Sequence, residues 1–399
     1  MKILIISQYY YPEQFLINDI APELVRRGHE VTVLTGVPNY PQGEVFSGYE
    51  NGQKKSEKID GVEIIRCPII PRGKGKIQLL ANYFSYMRQA NKAAKRLDGQ
   101  FEVVYLYQLT PILQAYPAIK YAQRNGVKVV CYCLDLAPLS GNNVASFLKP
   151  LHNIYKRFSR WAYQNCETIA VTSRDFIDYL RETHDIPLER MEYLPQHASE
   201  GLLDADLTKQ KGDGTTDFMF AGNLGTGARL DHIVYAVEQL KNNGLRCRMN
   251  FVGDGSAKAM LEELTARLDL GDYVKFHGRV PMSDMEEIYK QADVLLVTLR
   301  KGQITVPGKV QAYMATGKPI LGAMDGSGKK LIEEAGCGRC VDAEDAYGLY
   351  TIMKEYIEHP ETFAECGEKG RAYFREYFRI NKHVDRLEQL LKNSTIKDE

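Results

Sequence analysis

Short, continuously apolar runs alternate along this chain with longer segments whose apolar residues recur every three or four positions. The spacing predicts strands over 2–7, 30–35, 62–67, 103–107, 128–133 and 168–172, with helices over 17–28, 77–97 and 112–125 between them. Leu80, Tyr83, Phe84, Met87, Ala90, Ala94 and Leu97 are the expected core stripe of the 77–97 helix. Leu151, Ile154, Tyr155, Phe158 and Trp161 mark a further helix. Strands that are apolar throughout and separated by helices point to a parallel sheet covered on both faces.

Polar, glycine-bearing residues then interrupt the pattern, and a linker is expected over 201–216. Strands resume at 217–222, 248–252, 273–277, 294–298 and 319–323. A last helical stripe over 371–391 carries Phe374, Phe378, Val384, Leu387 and Leu391. The expected fold class is α/β, with two tandem doubly wound Rossmann-like domains facing a cleft, one over 1–200 and the other over 217–370. The 399 residues suit two or three domains. In such open sheets ligands bind beside the carboxyl ends of the strands.

Composition excludes several classes. Hydrophobic residues at 44% and charged residues at 26% rule out a disordered, collagenous or coiled-coil chain. No apolar run approaches the roughly 18 residues of a membrane span. The opening strand is too short for a signal-peptide core. Eight cysteines are too few for a disulfide scaffold. Cys337-Gly338-Arg339-Cys340 lacks the second pair or nearby histidine of a zinc site, so ordinary thiols in a reducing cytoplasm are expected.

Basic and acidic residues balance at 51 each, yet residues 64–165 hold 15 Lys/Arg against only Asp98, Glu102 and Asp135. No nucleic-acid-binding motif accompanies this excess, so nucleic acid is not an expected partner and an anionic membrane surface is. Arg72, Lys74, Lys76, Arg88, Lys92, Lys95 and Arg96 lie on or before the 77–97 helix. Lys149, Lys156, Arg157 and Arg160 lie near Trp161.

Three segments carry chemistry. Ala221-Gly222-Asn223-Leu224-Gly225-Thr226-Gly227 follows a strand and is expected to open a helix, where small residues let backbone N–H groups approach a phosphate. A tight turn explains it equally well, and its spacing is neither that of a dinucleotide fold nor that of a P-loop. Gly253-Asp254-Gly255 follows the next strand. Thr305-Val306-Pro307-Gly308-Lys309 places a proline in a first helical turn, an open backbone and a cation together, a set suited to holding a diphosphate. Arg229, Arg279, Arg300 and Lys301 add cations nearby. In the first half, Asp135 is the only acid between Glu102 and Glu167, and basic surroundings should keep it ionised, ready to orient or deprotonate a hydroxyl.

Taken together these segments resemble GT-B-fold glycosyltransferases of family 4: Gly28-His29-Glu30-Val31-Thr32-Val33-Leu34-Thr35, Ala292-Asp293-Val294-Leu295-Leu296, and Tyr313-Met314-Ala315-Thr316-Gly317-Lys318-Pro319-Ile320. Tyr11-Pro12-Glu13-x-Phe15-x-Ile17-Asn18-Asp19 and Thr35-Gly36-x-Pro38-Asn39-Tyr40-Pro41-x-Gly43 resemble the N-acetylfucosamine transferase-like branch of surface polysaccharide synthesis.

The resemblance implies retaining transfer from a UDP-sugar, without a metal or other cofactor, to a polyprenyl-diphosphate-linked glycan at the inner face of the plasma membrane. It implies Lys309 and Asp135 as catalytic groups. Gly222, Asn223, Gly225, Arg229, Asp254, Arg279, Thr305, Pro307, Gly308 and Gln311 fall on the donor side, with Gln311 a contact to ribose. Phe15, Asn18, Asn39, Tyr40 and Gln108 fall on the acceptor side. It also implies that the segment 371–399 packs back on the first domain.

The chain departs from the family pattern in two places. Ile304 and Ala312 stand where the family has two glutamates, and Asp135-Leu136-Ala137-Pro138-Leu139 stands where the branch has Asp-Leu-Trp-Pro-Glu. Two other readings therefore stay open, a non-catalytic nucleotide-sugar-binding subunit and a UDP-sugar epimerase of the same fold.

Overall fold

The apolar runs become two sheets. In the first, β1 (Lys2–Ile6), β2 (Glu30–Gly36), β3 (Ser56–Ile59), β4 (Val62–Cys67), β5 (Val103–Gln108), β6 (Lys128–Cys133), β7 (Thr168–Val171) and β8 (Met191–Tyr193) lie in the order β3-β4-β2-β1-β5-β6-β7-β8. In the second, β9 (Thr216–Ala221), β10 (Cys247–Val252), β11 (Val274–Gly278), β12 (Val294–Thr298), β13 (Ile320–Ala323) and β14 (Gly338–Val341) lie in the order β11-β10-β9-β12-β13-β14. All neighbours run parallel except β3 and β4, an antiparallel hairpin turned at Asp60-Gly61, both with positive φ. Ile3 sits opposite both Val31 and Val103, so β1 is central, and each of its residues from Ile3 to Ile6 is fully buried.

The computed structural model describes residues 1–97, 99–136, 149–209 and 214–395, and the chain divides into two units, Met1–Pro195 with Ile380–Glu399, and Gln196–Arg379. Strand order reverses at β1/β5 in the first unit and at β9/β12 in the second. In open parallel sheets such switch points, at the carboxyl ends of the strands, are where ligands ordinarily bind.

The structure corrects three expectations. The segment expected to be a linker packs as part of the second unit, with Leu203 and Leu207 buried in its core; residues 210–213 within it lie outside the described residues. The terminal helix is two helices, Cys366–Tyr377 and Ile380–Asn393. Their shared stripe serves two cores: Phe374 and Phe378 pack in the second unit, while Val384, Leu387 and Leu391 pack in the first. There the last helix is also tied by Arg27, which pairs with Asp385 at 2.6 Å and Glu388 at 3.2 Å.

On the helix Lys76–Ala94, finally, Leu80 and Phe84 are exposed rather than core, and Asn82, Tyr86, Ala90 and Ala94 form the buried side. The strands β3, β8 and β14 were not expected. Each is a short edge strand without continuous apolar residues. Cys340 lies on β14, and burial pushes the thiol of neighbouring Cys337 up to about 12.

Candidate functional site

At the β9/β12 switch point three chain segments close on one another. Gly222 follows β9 at φ 135°, and its N–H donates to the Val252 carbonyl at 2.8 Å. Leu224 N–H donates to Asp254 O at 2.9 Å, and Gly253 N–H to Gly278 O at 2.7 Å. A Cβ at Gly253 would stand 1.9 Å from the Gly222 carbonyl oxygen, so the two turns touch through backbone alone. Tyr313, wholly buried, fixes the end of β9 from the helix Gly308–Thr316 by accepting from Ala221 N–H at 2.8 Å and donating to Ala221 O at 3.1 Å.

The same helix delivers Lys309. Its Cε lies 2.5 Å from where a Gly222 Cβ would be, and its Nζ stands 4.9 Å from the Phe220 ring centroid. Half-buried and without a carboxylate partner among the described residues, this ammonium has its pKa lowered by desolvation. A partly desolvated cation beside an open glycine turn and a helix N-terminus is a set of groups chemically suited to an oxyanion.

Several sequence expectations change here. The 222–227 loop opens only one 3₁₀ turn, Thr226–Ala228, behind Gly225; Arg229 then takes a left-handed conformation and the helix begins at Asp231. Pro307 precedes the helix that begins at Gly308 rather than lying in its first turn. Arg229 is spent on carboxylates, Asp231 at 3.0 Å and Glu344 at 2.7 Å.

Gln311 is 2% exposed, with its Oε1 buried and without a hydrogen-bond partner among the described residues; Ala312, beside it, is the more exposed. Asp254 is exposed, and its carboxylate accepts from Gly255 N–H at 2.8 Å. Asn223 and Gly308 are exposed, as is Arg279 just beyond β11, and Thr305 is half-buried.

In the first unit, the ends of β1, β2, β5 and β6 hold the other candidates. Asp135 accepts from Thr110 Oγ1 at 2.5 Å, and desolvation raises its pKa. The sequence led us to expect cations holding it ionised; burial has the opposite effect and makes it a better proton acceptor. Gln108 is buried, donating to the Leu109 and Asp135 carbonyls and accepting from Tyr163 Oη, so it positions Asp135 from inside the fold.

Asn39 is likewise buried: its Nδ2 donates to Val37 O at 3.0 Å and its Oδ1 accepts from Arg72 N–H at 2.8 Å. Asn18 donates to Glu13 O at 2.7 Å. Phe15 and Tyr40 remain available as surfaces. Phe15 stacks on Tyr9 at 5.2 Å and 9°, and Tyr40 lies 5.3 Å from Phe15. Ala137, Pro138 and Leu139 lie outside the described residues, as does the side chain of Lys149.

Sequence reasoning missed Glu13. This carboxylate is 1% exposed, has no counter-cation within ion-pair distance among the described residues, and accepts from Asn39 N–H at 2.8 Å, Tyr40 N–H at 2.7 Å and Tyr10 N–H at 3.3 Å. Desolvation outweighs those bonds and lifts its pKa to about 7. An acid inside the Tyr9–Phe15 aromatic run was the available signal.

Outside the strand ends, the helix Lys76–Ala94 exposes Ile77, Leu80 and Phe84 (86, 55 and 49%), with Lys74, Lys76, Arg88, Lys92, Lys95 and Arg96 exposed around them. Among the described residues no helix is long and apolar enough to cross a membrane, and no cluster of His, Cys, Asp or Glu could hold a metal.

Comparison with known proteins fits this geometry. Residues 16–197 match the family model of the glycosyl transferase 4-like domain, and residues 207–373 that of glycosyl transferases group 1; together they span most of the chain. The chain is 24% identical over 394 residues to WcaI of Escherichia coli K12, whose name assigns it to colanic acid biosynthesis as a glycosyl transferase; 90% of this chain and 93% of that protein are covered. Among solved structures it is similar to the sucrose-phosphate synthase of Thermosynechococcus elongatus (TM-score 0.73, 16% identity, 98% of each chain). It is also similar to Anabaena HepE in complex with UDP and glucose (TM-score 0.70, 15% identity, 98% of this chain and 100% of that one).

Proposed function

The chain belongs to the glycosyltransferases of GT-B type, a 4-like domain followed by a group 1 domain, and from that premise we propose that it moves a sugar from a UDP-sugar, with retention and without a metal, onto a lipid-linked glycan precursor in bacterial polysaccharide synthesis. The observation that carries the donor half is Lys309, a half-buried ammonium without a carboxylate partner, lying against the Gly222 turn. Leaving-group charge that builds up on a diphosphate is stabilised there by a cation already desolvated and in place. The UDP and glucose bound by HepE, a protein of the same fold, support this reading.

The acceptor half falls to the first unit. Asp135, with its raised pKa, orients the acceptor hydroxyl; Phe15 and Tyr40 offer apolar faces to a glycan. WcaI supports a role in polysaccharide synthesis, and the resemblance of the motifs around Asn18 and Asn39 supports an N-acetylated amino sugar as the group transferred. The exposed apolar row at Ile77, Leu80 and Phe84 within its basic rim supports peripheral attachment to the cytoplasmic face of an anionic membrane.

The test is a calorimetric comparison of UDP, GDP and NAD, followed by UDP release from a panel of UDP-sugars with a prenyl-diphosphate-linked acceptor. Binding of UDP alone and acceptor-dependent release are expected; no nucleotide binding would refute the reading. Ile304 and Ala312 in place of the family's two acids favour a second reading, a nucleotide-sugar-binding subunit. It predicts UDP binding without turnover on any acceptor.

A further inference from the structure

The arginines of the first unit are not equivalent. Arg27 contacts Glu23, Asp385 and Glu388, and Arg66 contacts Glu57. Arg72, half-buried at the end of the turn that follows β4, has no carboxylate partner among the described residues. Its neighbours are tyrosines. Nη1 donates to Tyr9 Oη at 3.2 Å, and Cζ lies 5.2 Å over the Tyr40 ring. Burial raises the pKa of the half-buried Tyr83 hydroxyl, while Arg72 lowers it and Asp135 raises it, so both charges act on one hydroxyl.

The backbone under Arg72 is also built. Its N–H donates to Asn39 Oδ1, and Asn39 N–H and Tyr40 N–H both donate to Glu13 Oε1. A buried acid thus fixes the loop that fixes the arginine. A guanidinium has five N–H donors in a planar fork. Here one is used on Tyr9, one face lies over Tyr40, and among the described residues no further side-chain acceptor bonds the rest. Such a group is pre-ordered for a bidentate oxyanion, and its aromatic setting suits an anion attached to an apolar chain.

We propose that Arg72, held by Tyr9 and Tyr40, is an oxyanion subsite that takes the diphosphate of the lipid-linked acceptor. This rests on the reading of the first unit as the acceptor-binding one. The subsite is separate from Lys309, which belongs to the other unit. It holds the charged head of the acceptor in the same neighbourhood as Asp135.

The experiment uses the full chain with UDP in excess to fill the Lys309 site, titrated by calorimetry with inorganic pyrophosphate and with farnesyl diphosphate. Arg72→Gln should weaken both by about tenfold or more and leave UDP affinity unchanged. Arg72→Lys should fall between, since an ammonium lacks the fork. Tyr9→Phe keeps the ring and releases Nη1, and should weaken both by a smaller factor; it serves if Arg72→Gln misfolds.

Unchanged titrations in a folded Arg72→Gln protein would overturn the proposal. So would an Arg72→Gln protein that titrates with both diphosphates as the wild type does and loses only its flotation with phosphatidylserine vesicles, which would make the anion a membrane headgroup. Failure of the wild type to bind UDP would instead strike the donor reading, and the pyrophosphate titration without UDP would still decide Arg72.

Discussion

Replacing Lys309 by methionine keeps most of the apolar stem that lies against Gly222 and Phe220 and removes the charge. An ammonium 4 Å from a phosphate oxygen gains about 4 kcal/mol at an effective dielectric near 20. That figure ignores the water both partners give up, and net values for hydrogen bonds to charged groups are about 1.5–3 kcal/mol. The lower range decides here, because the diphosphate must still give up its water, even though Lys309 is already partly desolvated before any ligand arrives. Lys309→Met should therefore weaken UDP binding by about 10- to 150-fold. Because charge on the diphosphate grows as the sugar leaves, kcat/KM should fall at least as far.

The pH profile adds a second reading of the same charge. Burial favours the neutral amine, so the pKa of Lys309 is lowered, and wild-type UDP affinity should decline as alkaline pH passes through it. The methionine variant should show no such decline. Calorimetric titration of UDP across pH with both proteins is the assay. A variant binding UDP within about threefold of wild type, with the same pH slope, would refute the electrostatic argument.

Four further outcomes are expected. Glu13 titrates at 4.5 when unfolded and at about 7 when buried, so between those values the folded chain holds a proton the unfolded one has lost; stability should fall by about 3 kcal/mol as pH rises through that window, and Glu13→Gln should flatten this part of a urea-denaturation profile. Tyr313→Phe leaves the Ala221 backbone groups without their partner and should cost about 1–3 kcal/mol in the same measurement. Gly253→Ala drives a Cβ into the Gly222 carbonyl at φ 129° and should abolish UDP binding, whereas Gly271→Ala, in open space, should not alter it. Replacing Ile77 and Phe84 with glutamate should release the protein from anionic vesicles in flotation, and retention of binding would dismiss that face as the membrane contact.

The sheets were legible because buried parallel strands read as near-continuous apolar runs, as Ile3–Ile6, Val103–Tyr107 and Val294–Val297 do. The strands β3 and β14 were not, since an edge strand has one wet face and Ser56–Ile59 reads as a polar turn. Lys309 and the glycine turns could be found because their chemistry depends on local sequence. Gln311 and Gln108 could not be placed, because whether a glutamine faces ligand or core depends on which side of its element is covered. The setting of Arg72 is the far case: its contacts, Tyr9, Tyr40 and Asn39, lie more than thirty residues away in sequence, and the lack of a carboxylate partner among the described residues leaves no trace in a sequence.

The return of the chain at Ile380 bears on how the protein is made. The helix Ile380–Asn393 supplies Val384, Leu387 and Leu391 to the core of the first unit, yet it is encoded after the whole of Gln196–Arg379. At roughly 5–20 residues per second, a ribosome leaves the matching face of the helix Ile17–Arg26 uncovered for on the order of ten seconds or more. During that interval the nascent first unit carries an open apolar seam, and it is the completed second unit that brings its closing helix home.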